Sequence, residues 1–127
     1  MRYLIVVDMQ NDFVTGSLGS KMAEMIVPAV CEKIRRYKAQ GSTVFMTLDT
    51  HFKDYLETPE GKKLPVEHCI KGTEGWQPET QVAEAIGGSA EVYEKSTFGS
   101  AELAQHLAEI TKAGDCLLYT SDAADEL

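Results

Sequence analysis

The stretch Tyr3-Leu4-Ile5-Val6-Val7-Asp8 begins the chain with a continuous apolar run that ends in a carboxylate. Because apolar and polar residues do not alternate in it, the run predicts a strand buried on both faces, as in parallel sheets covered by helices. A second run of this kind, residues 43–48, ends at Asp49. Open α/β sheets bind ligands beyond the carboxyl ends of their strands, so Asp8 and Asp49 are candidate site residues.

Helical and strand-like segments alternate along the chain. We predict a helix over residues 26–40, with Pro28 in its first turn and Gly41 as its C-terminal cap. The further predicted elements are a short helix at 79–86, a strand at 91–94 followed by Lys95, a helix from Ser100 to Gly114 with Leu103, Leu107 and Ile110 buried, and a strand at 116–119. This order indicates repeated βα units with right-handed crossovers and a parallel sheet.

Length and composition restrict the functional class. A chain of 127 residues suffices for one domain, and its net charge of -8 disfavours nucleic acid or an anionic membrane as a partner. No apolar run approaches the ~18 residues that a membrane span needs. The three cysteines are widely spaced and odd in number. We therefore expect a cytoplasmic protein without disulfides that acts on a small molecule.

A long connection, residues 50–78, contains the candidate metal ligands. Asp49 and His51 are two residues apart, so on an extended chain their side chains point the same way. His68 would add a second imidazole, and Glu60 offers a further oxygen. This donor set suits zinc, iron or manganese. The alternative is that His51 and His68 are ordinary loop residues, and His106 is expected to be a solvated residue on a helix surface.

Lys95 would reach the same edge of the sheet as Asp8. The two form either a structural ion pair or, if a thiol lies beside them, a pair in which the carboxylate takes the thiol proton and the ammonium stabilises the thiolate. Cys31 and Cys116 fall within predicted core elements. Cys69 follows a candidate ligand on a loop, so we expect it to be a poor nucleophile.

Four blocks of sequence together resemble the nicotinamidase/isochorismatase family of cysteine hydrolases. The blocks are Val7-Asp8-Met9-Gln10-Asn11-Asp12-Phe13, Asp49-Thr50-His51, Glu67-His68-Cys69-Ile70-Lys71-Gly72-Thr73 and Lys95-Ser96-Thr97-Phe98-Gly99-Ser100. The resemblance implies a Rossmann-like three-layer α/β/α fold and hydrolysis of an amide, with nicotinamide as the leading substrate and a role in NAD metabolism. We also expect the complete form to be homo-oligomeric.

The same resemblance implies roles for individual residues. Asp8 and Lys95 correspond to two members of an Asp-Lys-Cys triad, and Phe13 and Gln10 to the substrate pocket. Asp49, His51 and His68 correspond to the metal site of the nicotinamidase branch, and Glu60 lies near a position where some members have a fourth ligand. The resemblance thus implies catalytic roles for Asp8 and Lys95, substrate binding by Phe13 and Gln10, and metal binding by Asp49, His51, His68 and Glu60.

The chain departs from the family pattern in two places. No cysteine follows Cys116, whereas the family continues past its fourth strand into a Gly-x-x-Thr-Asp-x-Cys stretch that contains the nucleophile. We therefore expect residues 1–118 to be the N-terminal portion of the hydrolase domain, residues 119–127 to be a non-native tail, the fold to be incomplete at its C-terminus and the 127-residue chain to be inactive. The second departure is Pro65, which stands where many nicotinamidases have a tryptophan.

Two other functional classes stay open at this point. One is a metal phosphohydrolase with Asp8 as its nucleophile, although Gln10 stands where such enzymes have an acid. The other is a noncatalytic module that binds a metal or a ligand.

Overall fold

Four parallel strands form one sheet in the computed structural model, which describes residues 2–95, 101–111 and 115–120. The strands are β1 (Arg2–Val7), β2 (Thr43–Asp49), β3 (Glu91–Lys95) and β4 (Cys116–Thr120). Their spatial order is β3-β2-β1-β4, and every adjacent pair is parallel. The buried apolar runs of the first two strands occupy the centre of the sheet, as predicted. All four carboxyl ends therefore lie at one edge.

Helices cover both faces of this sheet and make it the middle of three layers. The helices are α1 (Asn11–Val14), α2 (Lys21–Ala39), α3 (Pro59–Lys63), α4 (Thr80–Ile86) and α5 (Ala101–Ile110). Alternate residues of β1 point to opposite faces. Leu4 and Val6 pack into a core with α2 and α4, and Tyr3 and Ile5 pack into a second core with α5. The expected α/β/α architecture is confirmed.

Helix α2 begins five residues earlier than the sequence pattern indicates. The Ser20 side chain accepts a hydrogen bond from the Ala23 backbone N–H at 3.0 Å, which caps the helix and fixes its start at Lys21. Pro28 therefore lies inside the helix and not in its first turn, which corrects the prediction. Gly41 follows the helix with φ of 74°, as expected of a residue that ends a helix in the left-handed region.

The connection between β2 and α4 is folded despite its lack of periodicity. It contains a 3₁₀ turn at Tyr55–Glu57, the short helix α3 and a second 3₁₀ turn at Glu74–Trp76. The Tyr55 hydroxyl donates to the Leu64 carbonyl at 2.9 Å, and the Trp76 indole donates to the Thr50 hydroxyl at 3.0 Å. The first bond joins two parts of the connection, and the second joins the connection to the residue that follows β2.

Helix α5 corrects one sequence expectation. Its Leu103 and Leu107 are buried as predicted, but His106 is not simply solvated: its ring packs edge-on against Phe45, with centroids 5.9 Å apart, and lies near Tyr93. The predicted cap residues Ser100 and Gly114 lie outside the described residues, as does the side chain of Cys116. No helix in the described ranges has the length and apolarity to cross a membrane.

Candidate active site

Asp8 and Lys95 meet at the edge where the strands end. The Lys95 ammonium donates to Asp8 Oδ2 at 2.7 Å, and the Thr47 hydroxyl donates to Asp8 Oδ1 at 2.7 Å. Asp8 has φ of 52°, in the left-handed region, where the aspartate backbone is tolerated better than that of most residues. Both carboxylate oxygens therefore have a donor, and the carboxylate is held in one orientation.

Burial has the largest effect on the pKa of Asp8. The loss of solvent raises the pKa of this carboxyl, while the hydrogen bond and charge of Lys95 and the hydroxyl of Thr47 oppose that rise without cancelling it. The Lys95 side chain is itself only 6% exposed. A carboxylate whose pKa is raised is a stronger base, so the pair can accept a proton from a neighbouring acidic group.

Asp49, His51 and His68 bring three ligand atoms together within 4.8 Å of one another. Asp49 Oδ2 lies 3.1 Å from His51 Nε2 and 3.4 Å from His68 Nε2. Asp49 ends β2, and His51 is held in place because its backbone N–H donates to the Cys69 carbonyl at 2.9 Å. All three residues are buried.

The donor set fits a divalent transition metal. His68 Nδ1 lies 2.7 Å from the Val66 carbonyl, which can only accept, so Nδ1 carries a proton and Nε2 of the neutral ring presents its lone pair to the cluster. A carboxylate oxygen and two imidazole nitrogens face one another, so a proton or a cation must lie among them. One carboxylate and two imidazoles are ligands typical of zinc and iron sites.

The pKa shifts of Asp49 and His68 arise largely from the contact between these two residues. Burial alone would raise the pKa of Asp49, but the hydrogen bond that His68 donates when its ring is protonated, together with the charges of His51 and Lys95, holds the pKa below its ordinary value. Burial would lower the pKa of His68, yet Asp49 and the Val66 carbonyl raise it. The group attracts positive charge to its centre.

Glu60 approaches the cluster from helix α3. Its Oε2 lies 3.6 Å from His51 Nε2, and its side chain is 36% exposed, in contrast to the three buried ligands. Thr58 caps this helix by accepting the Gly61 N–H at 3.0 Å. Glu60 is therefore placed beside the cluster at its more open side, where its carboxylate can supply a further oxygen.

One cavity of about 260 Å³ joins the acid–base pair to the metal-binding cluster. The residues that line it are Asp8, Phe13, Leu18, Asp49, His51, Tyr55, Glu60, Lys63, Leu64, His68 and Lys95. Phe13 lies edge-on to His68, with ring centroids 5.5 Å apart. Three carboxylates, a buried ammonium and apolar walls thus surround the same space.

Sequence reasoning did not identify Tyr55 or Thr47. The Tyr55 ring lies 4.6 Å from the His51 ring and 5.0 Å from the His68 ring, centroid to centroid, and forms a wall of the cavity. No sequence motif indicates this role of Tyr55, because the long connection must fold before Tyr55 approaches the histidines. Thr47 could have been found from strand register, since Val7 pairs with Thr47 and Asp8 follows Val7.

Gln10 does not face the cavity, which corrects the expectation that it binds substrate. Its side chain is fully buried, and its amide nitrogen donates to the backbone carbonyls of Asp49 at 2.8 Å and Trp76 at 2.9 Å. Its amide oxygen accepts from the Asp49 N–H at 2.9 Å. These three bonds occupy the amide within the protein interior.

Neither cysteine with a described side chain lines the cavity. Cys31 belongs to the core beneath α2, as expected. Cys69 is 0% exposed, and burial, reinforced by the charges of Asp49 and Asp12, raises its pKa far above the ordinary value. Its thiol is therefore neutral at physiological pH, which agrees with the expectation that Cys69 is a poor nucleophile.

Comparison with known proteins gives one family. A model described as "Isochorismatase domain" matches residues 2–115. A pyrazinamidase of Pyrococcus horikoshii, solved in complex with zinc, is 27% identical with a TM-score of 0.73, over 94% of this chain and 70% of that one. No match was found among curated proteins.

Two further structures extend the comparison. A pyrazinamidase/nicotinamidase from Streptococcus mutans is 25% identical with a TM-score of 0.80, over 94% of this chain and 72% of that one. An N-carbamoylsarcosine amidase from Thermoplasma acidophilum is 25% identical with a TM-score of 0.75, over 93% and 66%. The chain thus spans about two thirds to seven tenths of the length of these structures. The match over residues 2–115, together with the fold, shows that this chain belongs to the isochorismatase family of hydrolases.

Proposed function

We propose that the full-length protein is a cysteine amidohydrolase that converts nicotinamide, or a related small amide, to the acid and ammonia. The observation that carries the proposal is that one cavity contains both the Asp8–Lys95 pair and the Asp49, His51 and His68 cluster. A pyrazinamidase, a pyrazinamidase/nicotinamidase and an N-carbamoylsarcosine amidase share the fold, and all three are amidases by name.

Asp8 and Lys95 supply the acid–base chemistry in this proposal. The nucleophile is a thiol that lies outside these 127 residues, at the position the family resemblance implies. Asp8 accepts the thiol proton, and Lys95 stabilises the thiolate that results. A carbon–sulfur bond forms at the substrate carbonyl, the carbon–nitrogen bond breaks, and Asp8 returns the proton to the departing ammonia. Water then hydrolyses the thioester and restores the thiol.

Asp49, His51 and His68 would hold a divalent zinc, iron or manganese ion. When bound, such an ion supplies a Lewis-acid contact that binds and orients a ring nitrogen or a polar atom of the substrate. The zinc in the Pyrococcus horikoshii pyrazinamidase complex supports a metal of this class. Glu60, beside His51, is placed to add a fourth ligand through its carboxylate.

The cavity walls favour a small, flat substrate. Phe13 and Tyr55 present aromatic rings, and Leu18 and Leu64 add aliphatic surface. Planar rings pack well against aromatic side chains at little entropic cost. These walls would exclude water from the carbonyl, and Lys95 and Asp8 line the same cavity, where the amide must be attacked.

The test is ammonia release by the full-length protein, loaded with zinc, iron or manganese in parallel. We expect release from nicotinamide or a related small amide, and no hydrolysis of p-nitrophenyl phosphate. Phosphate release without ammonia release from any amide would instead favour the phosphohydrolase alternative. Binding of metal without either reaction would favour the noncatalytic one.

The 127-residue chain provides the matched control. We expect no ammonia release from it, because the thiol that Asp8 and Lys95 would activate is not among its residues. Cys69→Ala in the full-length protein should leave ammonia release intact, since the Cys69 thiol is buried and neutral. Turnover by the 127-residue chain that disappears in Cys69→Ala would assign the nucleophile to Cys69 and contradict these roles.

A further inference from the structure

The segment that follows Asp8 contacts both parts of the chain that provide the metal-binding residues. Gln10 precedes helix α1 and Asp12 lies within it. One side chain contacts the end of β2, where Asp49 lies, and the other contacts the loop that follows His68. Neither residue lines the cavity. Their polar groups therefore act on the backbone that carries the ligands.

Gln10 bonds both backbone polar groups of Asp49. The amide side chain accepts from the Asp49 N–H at 2.9 Å and donates to the Asp49 carbonyl at 2.8 Å, as a neighbouring strand would. Its remaining donor reaches the Trp76 carbonyl. Because Gln10 is fully buried, removing its amide would leave these backbone groups without a partner away from water. The backbone of Asp49 is thus held at both its N–H and its carbonyl.

Asp12 fixes the backbone immediately after His68. Its Oδ2 accepts from the Cys69 N–H at 2.8 Å, and Cys69 has φ of 51°, an unfavourable conformation for a residue with a side chain. The Cys69 carbonyl in turn accepts from the His51 N–H. A carboxylate at Asp12 therefore stabilises the strained turn that joins the two histidine segments.

Gly75 permits this contact. A Cβ atom at Gly75 would lie 2.2 Å from Asp12 Oδ2 and 2.4 Å from its Cγ. Any side chain at that position would displace the carboxylate from the Cys69 N–H. The absence of a side chain at Gly75 lets the loop backbone lie directly against Asp12.

We propose that Gln10 and Asp12 are positioning residues of the metal site, which hold the backbone of Asp49 and of the His68–Cys69 turn so that the three ligand atoms converge before the ion binds. The inference rests on the metal site proposed above. Partners of this kind typically change metal affinity by about 10- to 100-fold when they are removed. They do so without contacting the metal or the substrate.

The experiment measures Zn²⁺ affinity of the full-length protein by competition with a chromogenic chelator. We expect Gln10→Ala and Asp12→Ala to weaken Zn²⁺ binding by about 10- to 100-fold. Asp12→Asn should stay within about threefold of wild type, because its amide oxygen can still accept the Cys69 N–H. Gly75→Ala should weaken binding although Asp12 is intact. The absorption spectrum of the Co²⁺-substituted alanine variants should shift, which a loss of global stability alone would not cause.

Asn11→Ala is the matched control. Asn11 lies between the two positioning residues, but its side chain bonds the Glu74 carbonyl, which belongs to no ligand-bearing segment. Its Zn²⁺ affinity should equal that of wild type. Wild-type affinity in the alanine variants, or an equal loss in Asn11→Ala, overturns the inference while leaving the metal site standing. Absence of Zn²⁺, iron and manganese binding by the wild type would instead refute the metal site itself. If an alanine variant does not fold, the Zn²⁺ affinities of Asp12→Asn and Gly75→Ala test the inference instead. Weaker binding by Gly75→Ala than by Asp12→Asn would support it, and equal affinities would overturn it.

Discussion

The Asp8 carboxylate has a different donor on each oxygen, and the two donors have different consequences. Lys95 provides charge, whereas the hydroxyl of Thr47 is a neutral donor at 2.7 Å that leaves the charge balance unchanged. Both hydrogen bonds lower the pKa of Asp8 against the rise caused by burial. Substitution of Thr47 can therefore change the basicity and orientation of Asp8 while the ion pair with Lys95 stays in place.

We expect Thr47→Val in the full-length enzyme to reduce kcat by about tenfold, since the substitution removes one charge-assisted hydrogen bond. Loss of that bond raises the pKa of Asp8, so activity that requires the ionised carboxylate should disappear at a higher pH than in wild type. The measurement is the pH profile of kcat/KM. Thr43→Val, at the other end of β2, is the control. An acidic limb that is unmoved, or shifted to lower pH, would contradict this role.

At the scale of elements, helices α2 and α4 are joined by a cap across their ends. Lys38, near the C-terminus of α2, donates to the Ala85 and Ile86 carbonyls at 2.9 Å each. These carbonyls belong to the last turn of α4, where backbone acceptors lack intrahelical partners and a cation is favourable. The two hydrogen bonds from Lys38 thereby join helix α2 to helix α4.

Lys38→Met should lower the free energy of unfolding by about 0.5–1 kcal/mol, because two carbonyls lose a partially exposed donor. Amidase activity should not change, since the cap lies away from the cavity. Chemical denaturation with Lys33→Met as the charge-matched control measures the effect. An unfolding free energy equal to that of Lys33→Met would show that the cap contributes nothing.

The sequence predicts the elements that local patterns determine. The apolar runs ending in Asp8 and Asp49 predict β1, β2 and the edge at which the site lies, because a buried parallel strand has a recognisable composition. The start of α2 was missed because the N-cap at Ser20 lies before the clear apolar periodicity begins. The roles of Gln10, Tyr55 and Thr47 were missed because they depend on contacts between residues distant in sequence, such as Gln10 with Asp49.

At the scale of the whole molecule, the metal-binding cluster connects segments separated by a long stretch of chain. Asp49 and His51 lie at the end of the central strand β2, whereas His68 follows the connection that contains α3. An ion bound by all three would act as a cross-link present only in the folded state. Metal binding is then linked to folding of the entire domain.

Removal of the metal from the full-length protein with a chelator should lower its Tm, and adding Zn²⁺ back should restore it. At a free Zn²⁺ concentration 100 times Kd the expected stabilisation is about 2.7 kcal/mol. His51→Ala should abolish the Zn²⁺-dependent shift and retain little metal by elemental analysis. Equal metal content and an equal shift in wild type and His51→Ala would show that the ion binds elsewhere.

The most direct test of the account is Lys95→Met in the full-length enzyme, with ammonia release and metal content measured on the same sample. Lys95 pairs with Asp8 and is not itself one of the metal-binding residues, so kcat should fall by about 10²- to 10⁴-fold while metal content stays at the wild-type value. Lys53→Met, an exposed lysine, should alter neither quantity. A Lys95→Met enzyme that keeps wild-type turnover, or one that loses its metal together with its activity, would contradict the proposed division between the two halves of the cavity.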